Sequence, residues 1–222
     1  MTKSSNDAWA KSLNDAWAAK GLNDYVTLIK MFEKIQAAAT DGNTLAQVVV
    51  GDMYSNGQGV IRDHAEAVRW YKLAAKQGCD DAQNALGNSY RDGQGVLKDI
   101  TEALRWYRLA AEQDNTSAQF ELGNMYRYGQ GVSKDDAQAV RWYRLAAEQG
   151  NTSALLILGA MYEYGQGVEE NHTEALKWYK LAAAKDDVDA QFQIAQIYRW
   201  KWNLLQDTTE AARWYKLAAE QG

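Results

Sequence analysis

A tryptophan followed by a tyrosine occurs five times in this chain, at Trp70-Tyr71, Trp106-Tyr107, Trp142-Tyr143, Trp178-Tyr179 and Trp214-Tyr215, each pair 36 residues after the last. Self-similarity at a fixed period of that length marks one supersecondary unit used repeatedly. Gly-Gln-Gly-Val recurs in the same phase at Gly57–Val60, Gly93–Val96, Gly129–Val132 and Gly165–Val168, and an Ala-Ala pair such as Ala74-Ala75 follows every Trp-Tyr. The units are 45–80, 81–116, 117–152, 153–188 and 189–222, one continuous array over 45–222. Residues 1–44 read as a degenerate N-terminal capping unit, with Ala37-Ala38-Ala39 and Asp41-Gly42-Asn43 in phase but Lys34-Ile35 where Trp-Tyr belongs. Terminal units of an array are often atypical because one face has no neighbour.

Each unit reads as two helices. Helix A runs roughly from Ala82 to Arg91 in the second unit, with Ala82, Leu86, Gly87 and Tyr90 on one face. The glycines of Gly93-Gln94-Gly95 then end it, since glycine takes positive φ without penalty. Helix B opens on an acid or amide with Glu or Gln three residues on: Asp63 and Glu66, Asp99 and Glu102, Asp135 and Gln138, Asn171 and Glu174, Asp207 and Glu210. That is the spacing of a capping box. Helix B stops at Gly78, Gly150 or Gly222, with Asp114 and Asp186 in the same place elsewhere. Its wide apolar stripe predicts that Trp106 and Tyr107, like Trp142 and Tyr143, are buried between neighbouring pairs. The chain has 17 glycines and no proline, which suits helices joined by glycine turns and predicts an all-α fold without sheet.

Four motifs keep one phase: Ala-x3-Leu-Gly-x2-Tyr as in Ala118–Tyr126, Gly-x-Gly-Val as in Gly129–Val132, Asp-x2-Glu-Ala as in Asp99–Ala103, and Trp-Tyr-x2-Ala-Ala as in Trp142–Ala147. Together they resemble the Sel-one-like repeat family, relatives of the tetratricopeptide repeats. Leu13, Trp17, Lys20-Gly21 and Tyr25 in the N-terminal unit look more like a tetratricopeptide turn. The resemblance implies a right-handed α-α superhelix, or solenoid, with helices A lining the inside and helices B the outside. It also implies a scaffolding role, since members of the family mostly assemble complexes.

Several other functions lose support from the sequence. Lys and Arg number 24 against 29 Asp and Glu, a net charge of -5, so no global attraction draws nucleic acid or an anionic membrane. The mean hydropathy of -0.54 and the absence of a long apolar run argue against a membrane span, and residues 1–20 carry no signal-peptide core. Cys79 is the single cysteine and has no partner for an internal disulfide, so a reducing cytoplasm is the expected compartment. A leader removed ahead of residue 1 would leave the same sequence. Gly-x-Gly here lacks the preceding strand and third glycine of a dinucleotide site. His64 and His172 follow the helix B cap, where solvated residues are expected, and no further metal ligands stand near them. Cys79 reads as a small boundary residue rather than a nucleophile. The sequons at Asn115, Asn151 and Asn171 read as helix-start residues. No metal and no cofactor is expected.

Two surfaces are candidates for recognition. Helix B carries basic pairs at Arg69/Lys72, Arg105/Arg108, Arg141/Arg144, Lys177/Lys180 and Arg213/Lys216, but glutamates three residues before and four after answer much of that charge. Helix A varies on the face opposite Leu86 and Tyr90, at Asn84, Asn88 and Arg91, Phe120, Asn124 and Arg127, and Phe192, Gln196 and Arg199. Amides, arginines and aromatics suit a protein or peptide segment, and two arginines in equivalent positions suit an acidic or C-terminal one. In related tetratricopeptide proteins, groove asparagines and basic residues clamp extended peptides. In the last unit the glycine turn becomes Lys201-Trp202-Asn203-Leu204 after Trp200, so Trp200, Trp202 and Leu204 form a candidate contact patch at the end of the array. End-to-end self-association there is a further expectation. The leading reading is a non-enzymatic adaptor. A purely architectural or designed array without ligand, and a hydrolase like the cysteine-rich relatives, are the alternatives; the second lacks those relatives' cysteine pairs and any Ser-x-x-Lys element.

Overall fold

The computed structural model describes residues 25–200 and 207–221, and among them every regular element is a helix. They run α1 (Tyr25–Thr40), α2 (Thr44–Asn56), α3 (His64–Lys76), α4 (Asp80–Asp92), α5 (Ile100–Ala111), α6 (Thr116–Tyr128), α7 (Asp136–Glu148), α8 (Thr152–Glu163), α9 (His172–Ala183), α10 (Val188–Trp200) and α11 (Thr208–Gln221). The pairs α2/α3 to α10/α11 are the five expected helix A and helix B units, and α1 belongs to the N-terminal one. The first helix of that N-terminal unit, with Leu13 and Trp17, falls outside the described residues. The chain forms two compact units that meet between Trp106 and Tyr107, inside α5.

Single residues set the helix ends. Asn43, Asn115, Asn151 and Asp187 each accept a hydrogen bond from the backbone amide three residues on, at 2.7–3.0 Å, so the sequons are indeed caps. Cys79 occupies that position before α4 and makes no side-chain cap. Burial also pushes its thiol pKa up, which disfavours the reactive thiolate. Cys79→Asn is therefore expected to raise stability by about 1 kcal/mol, read as a higher urea midpoint; an unchanged midpoint would mean that Asp80 and Asp81 in the first turn already satisfy these amides. At the other end of helix B, Asp114 and Asp186 adopt φ of 64° and 61° where Gly78 and Gly150 adopt 88° and 85°, as their placement in the sequence implied.

The capping box is only half formed. Asp63, Asp99, Asp135, Asn171 and Asp207 accept from the amides of the first helix B turn as expected. Their own N–H groups donate to the main-chain oxygens of Tyr54, Tyr90, Tyr126, Tyr162 and Tyr198 at the end of the preceding helix A, at 2.8–3.0 Å. The glutamates are thereby released to pair with the next basic residue, as Glu66 does with Arg69 at 2.6 Å and Glu210 with Arg213 at 3.3 Å.

The core lies where helix B's tyrosine meets helix A's glycine. A Cβ on Gly51, Gly123 or Gly159 would fall 2.4–2.6 Å from the rings of Tyr71, Tyr143 and Tyr179 respectively, so only a bare backbone lets the ring seat there. Tyr107, Tyr143 and Tyr179 are fully buried, together with Leu86, Leu122 and Leu158. The tryptophans are a correction: Trp70, Trp106, Trp142, Trp178 and Trp214 are half-buried, because each sits one residue, about 100° of helix, off the tyrosine and at the margin of the stripe.

The basic ladder also resolves differently. In its first rung Arg69, Arg105, Lys177 and Arg213 pair with the preceding glutamate, while in the second Arg108 and Lys180 donate to the hydroxyls of Tyr126 and Tyr198 on the next helix A at 3.0 and 3.1 Å, as Arg144 does to Tyr162. Lys216 turns to the glutamate four residues on, Glu220 at 3.8 Å.

Among the described residues, a partly buried side-chain network recurs in two repeats. Gln77 donates to Gln47 at 2.8 Å while Thr44 donates to Gln77 at 2.9 Å, and Gln149, Gln119 and Thr116 repeat the arrangement at 2.8 and 2.7 Å. In the fourth repeat Leu155 and Lys185 replace both glutamines together, so no buried amide on helix A is left without its partner.

Candidate functional site

The variable face of helix A falls on residues that the fold leaves half open. In residues up to 106, the facing sides of α2 and α4 bound a cleft of about 520 Å³. Asn84, Asn88 and Arg91, three of the nominated residues, line it together with Asp52, Asp81 and Asp92. Arg91 directs Nε and Nη2 to the two carboxylate oxygens of Asp92 at 2.9 and 3.0 Å, which holds the Asp92 pKa below the ordinary carboxylate value. Asp52 accepts from the Tyr71 hydroxyl at 2.7 Å. Solvent reaches Asp52, yet the protein packed around its carboxyl raises its pKa; the Tyr71 bond opposes that shift and the Asp81 charge adds to it.

In residues 107–222, Phe120, Asn124 and Arg127 follow one another along α6. The Phe120 ring stands 5.7 Å from that of Tyr143, and the Asn124 carbonyl accepts from the Tyr143 hydroxyl at 2.7 Å. Asn124 thus holds a core side chain as well as facing outward, and its amide donates to Glu121 at 3.3 Å. The Arg127 guanidinium lies over the exposed ring of Tyr128 at 5.5 Å. Burial raises the Tyr143 pKa and the Arg127 charge lowers it, so the two are electrostatically close. In the fourth repeat Ala160 stands where Asn124 does, and Glu163 from one turn on takes the Tyr179 hydroxyl at 2.7 Å instead. Phe192 is exposed, edge-on to Tyr215 at 5.6 Å, while Gln196 is half-buried and Arg199 exposed. Trp202 and Leu204 lie outside the described residues, as does the side chain of Trp200.

Asp81 and Asp92 were missed by the sequence reading. Their phase, shared with Ser117 and Ser153 and with Tyr128 and Tyr164, is as variable as the positions nominated. The histidines also differ from expectation: the side chain of His172 is 11% exposed and its Nε2 lies 3.2 Å from Glu170. Among the described residues no group of three or more His, Cys, Asp or Glu is placed to hold a metal ion, and no helix is long and apolar enough to cross a membrane.

The Sel1 repeat family matches residues 44–79, 80–115, 116–151, 152–187 and 188–222. No curated protein matches the chain. Among solved structures, a protective antigen of uropathogenic Escherichia coli strains, described as displaying an SLR fold, is 41% identical with a TM-score of 0.84 over 88% of this chain. The chain spans 42% of that protein's length. A Sel1 repeat protein from Oxalobacter formigenes is 35% identical with a TM-score of 0.78, covering 89% of this chain and 84% of its own. An immunity protein of Pseudomonas aeruginosa, 22% identical with a TM-score of 0.58 over 97% of this chain and 81% of its own, is similar in fold alone.

Proposed function

We propose, from the premise that this chain belongs to the Sel1 repeat family, that it is a non-enzymatic scaffold whose helix A face binds an extended segment of a protein partner. The observation that carries this reading is the division of labour between positions. Tyrosine, glycine and cap residues recur in nearly every unit because the packing demands them, whereas one geometric position on helix A carries Ser55, Arg91, Arg127, Glu163 and Arg199 in turn, and another Val48, Asn84, Phe120, Leu156 and Phe192. In residues up to 106, several of the variable positions line the polar cleft. A surface that varies over a fixed frame, with a cleft wide enough for a side chain, suits recognition of a sequence. On the helix A face of residues 107–222, Arg127 and Arg199 are the groups suited to a carboxylate, whether acidic side chain or C-terminus. Arg91 is not one of them, since two of its donors already engage Asp92.

The test is an affinity capture with the full chain beside an Asn84→Ala/Arg127→Glu variant, identifying partners by mass spectrometry. Asn84 holds no core tyrosine by a described hydrogen bond, and the Tyr143 hydroxyl that Arg127 approaches keeps its bond to Asn124, so the variant is expected to keep its helical circular dichroism and its urea midpoint within about 1 kcal/mol. A partner retained by the parent and lost at least tenfold by the variant supports the face. Identical partners for both would move the interface elsewhere.

A further inference from the structure

The first junction between units lacks a clasp that later junctions share. In those, the second base of helix B reaches the tyrosine that closes the next helix A. Arg108 donates to Tyr126 at 3.0 Å and Lys180 to Tyr198 at 3.1 Å, and the Lys72 ammonium lies 5.7 Å from the Tyr90 ring centre. One period before Lys72 stands Gln36 on α1, and one period before Tyr90 stands Tyr54 on α2. The shorter, neutral amide does not close that gap: among the described residues, neither the Gln36 side chain nor the Tyr54 hydroxyl makes a hydrogen bond. Instead α1, α2 and α3 bound a cleft of about 340 Å³, in which Gln36 and Tyr54 meet Trp70, Lys72, Leu73 and Lys76 of α3. Glu66 is the one carboxylate in the described lining, and Arg69, also in the lining, holds it at 2.6 Å. Lys72 and Lys76 have no ion-pair partner among the described residues, so the cleft is locally positive on a chain of net charge -5. Trp70 is half-buried and Leu73 is 45% exposed, which leaves an apolar wall open beside the charge.

We propose that this cleft takes an acidic residue with an apolar neighbour, presented on an extended segment of a protein partner. The Tyr54 hydroxyl and the Gln36 amide are the donors for its carboxylate, Lys72 and Lys76 supply the positive field, and Trp70 and Leu73 receive the apolar neighbour. A base from the partner would imitate the bond that later junctions make to their tyrosine, but it meets two unanswered ammonium groups and is rejected by sign. A free carboxylate gains little from exposed lysines alone, so the apolar contact is what makes the site a receptor for a peptide rather than for a small anion. A long polyanion is opposed by the net charge of the whole chain. This contact is separate from the helix A face and does not depend on it.

The experiment is an amide-resolved NMR titration of the full chain with four blocked peptides at millimolar concentration, alike except for a central pair: Glu-Leu, Lys-Leu, Glu-Ser or phosphoserine-Leu. Glu-Leu is expected to shift the amides of Trp70, Leu73 and Lys76, less so as salt rises, Glu-Ser to bind at least threefold more weakly, and Lys-Leu to leave those amides in place. Tyr54→Phe keeps the ring packed against Phe32, and Lys76→Gln changes an exposed side chain, so both variants are expected to keep the urea midpoint while each weakens Glu-Leu at least threefold. Lys-Leu binding as tight as Glu-Leu, no shift with any peptide, or an unchanged affinity in either variant overturns the proposal. Phosphoserine-Leu bound more than tenfold tighter than Glu-Leu overturns the carboxylate and assigns the cleft to a phosphorylated partner. The Asn84→Ala/Arg127→Glu variant is expected to show the same shifts as the parent, so this cleft and the helix A face stand or fall separately.

Discussion

Gly167→Ala is expected to destabilise the protein by about 3 kcal/mol or more, and Gly165→Ala, two residues earlier in the same turn, by about 1–2 kcal/mol. Both glycines have positive φ, 69° and 64°, so both substitutions incur the left-handed penalty. Their surroundings separate them. A Cβ on Gly165 would come no closer than 3.3 Å to its nearest neighbour, the Glu170 nitrogen. A Cβ on Gly167 would fall 2.3 Å from the Asp136 carbonyl carbon and 2.4 Å from its oxygen, main-chain atoms of the first turn of α7 that no rotamer change can move aside. The first glycine of the turn therefore ends a helix, while the second lets the turn press against the previous unit. Urea midpoints of the two variants measure the difference; equal shifts would mean that the turn does not rest on α7.

Tyr143→Ala should cost about 3–5 kcal/mol, Tyr143→Phe about 1–2 kcal/mol, and Trp142→Ala clearly less than Tyr143→Ala. The Tyr143 ring is fully buried, occupies the space that the absent Cβ of Gly123 leaves, and ends in a hydroxyl bonded to Asn124. Alanine opens a cavity that the two helices cannot close without moving, whereas phenylalanine keeps the ring and removes only the hydroxyl from between Asn124 and Arg127, both of which have access to solvent. Trp142 is half-buried, so its removal returns less apolar surface to water. Chemical denaturation followed by far-ultraviolet circular dichroism ranks the three. If Trp142→Ala proves the most damaging, the buried stripe of helix B is centred one residue away from where it is placed here.

What the sequence disclosed and what it withheld follow from the range of each constraint. Asp114 and Asp186 were readable as left-handed helix ends, and Asn115 and Asn151 as caps, because φ and a bond three residues away are properties of a short window. The partner of the Asp135 amide was not readable. It binds the Tyr126 carbonyl, and nothing in the capping-box spacing says that another helix end already occupies the place of Gln138. The same applies to Arg144, whose nearest glutamate in sequence, Glu148, loses to the hydroxyl of Tyr162. At the candidate site, Asn84, Asn88 and Arg91 were found through their variation among units. Asp81 and Asp92 escaped because they sit just off the face considered, and only the approach of α2 to α4 puts all five beside one cleft. That Asn124 has a core duty could not be seen until its distance to Tyr143 was known.

The tyrosine that closes each helix A has a consequence for how such a gene can change length. Through its main-chain oxygen Tyr126 holds Asp135, nine residues ahead, and through its hydroxyl it holds Arg108, eighteen residues behind. Tyr162 and Tyr198 repeat both offsets. Every partner is thus defined by a separation shorter than one period, so duplication or excision of 36 consecutive residues within the regular stretch restores each bond whatever the breakpoint. Unequal recombination is silent for packing when it moves whole periods and ruinous when it moves a fraction of one. Copy number is then free to drift while the frame stays constant, and new faces are obtained by adding units rather than by rebuilding old ones.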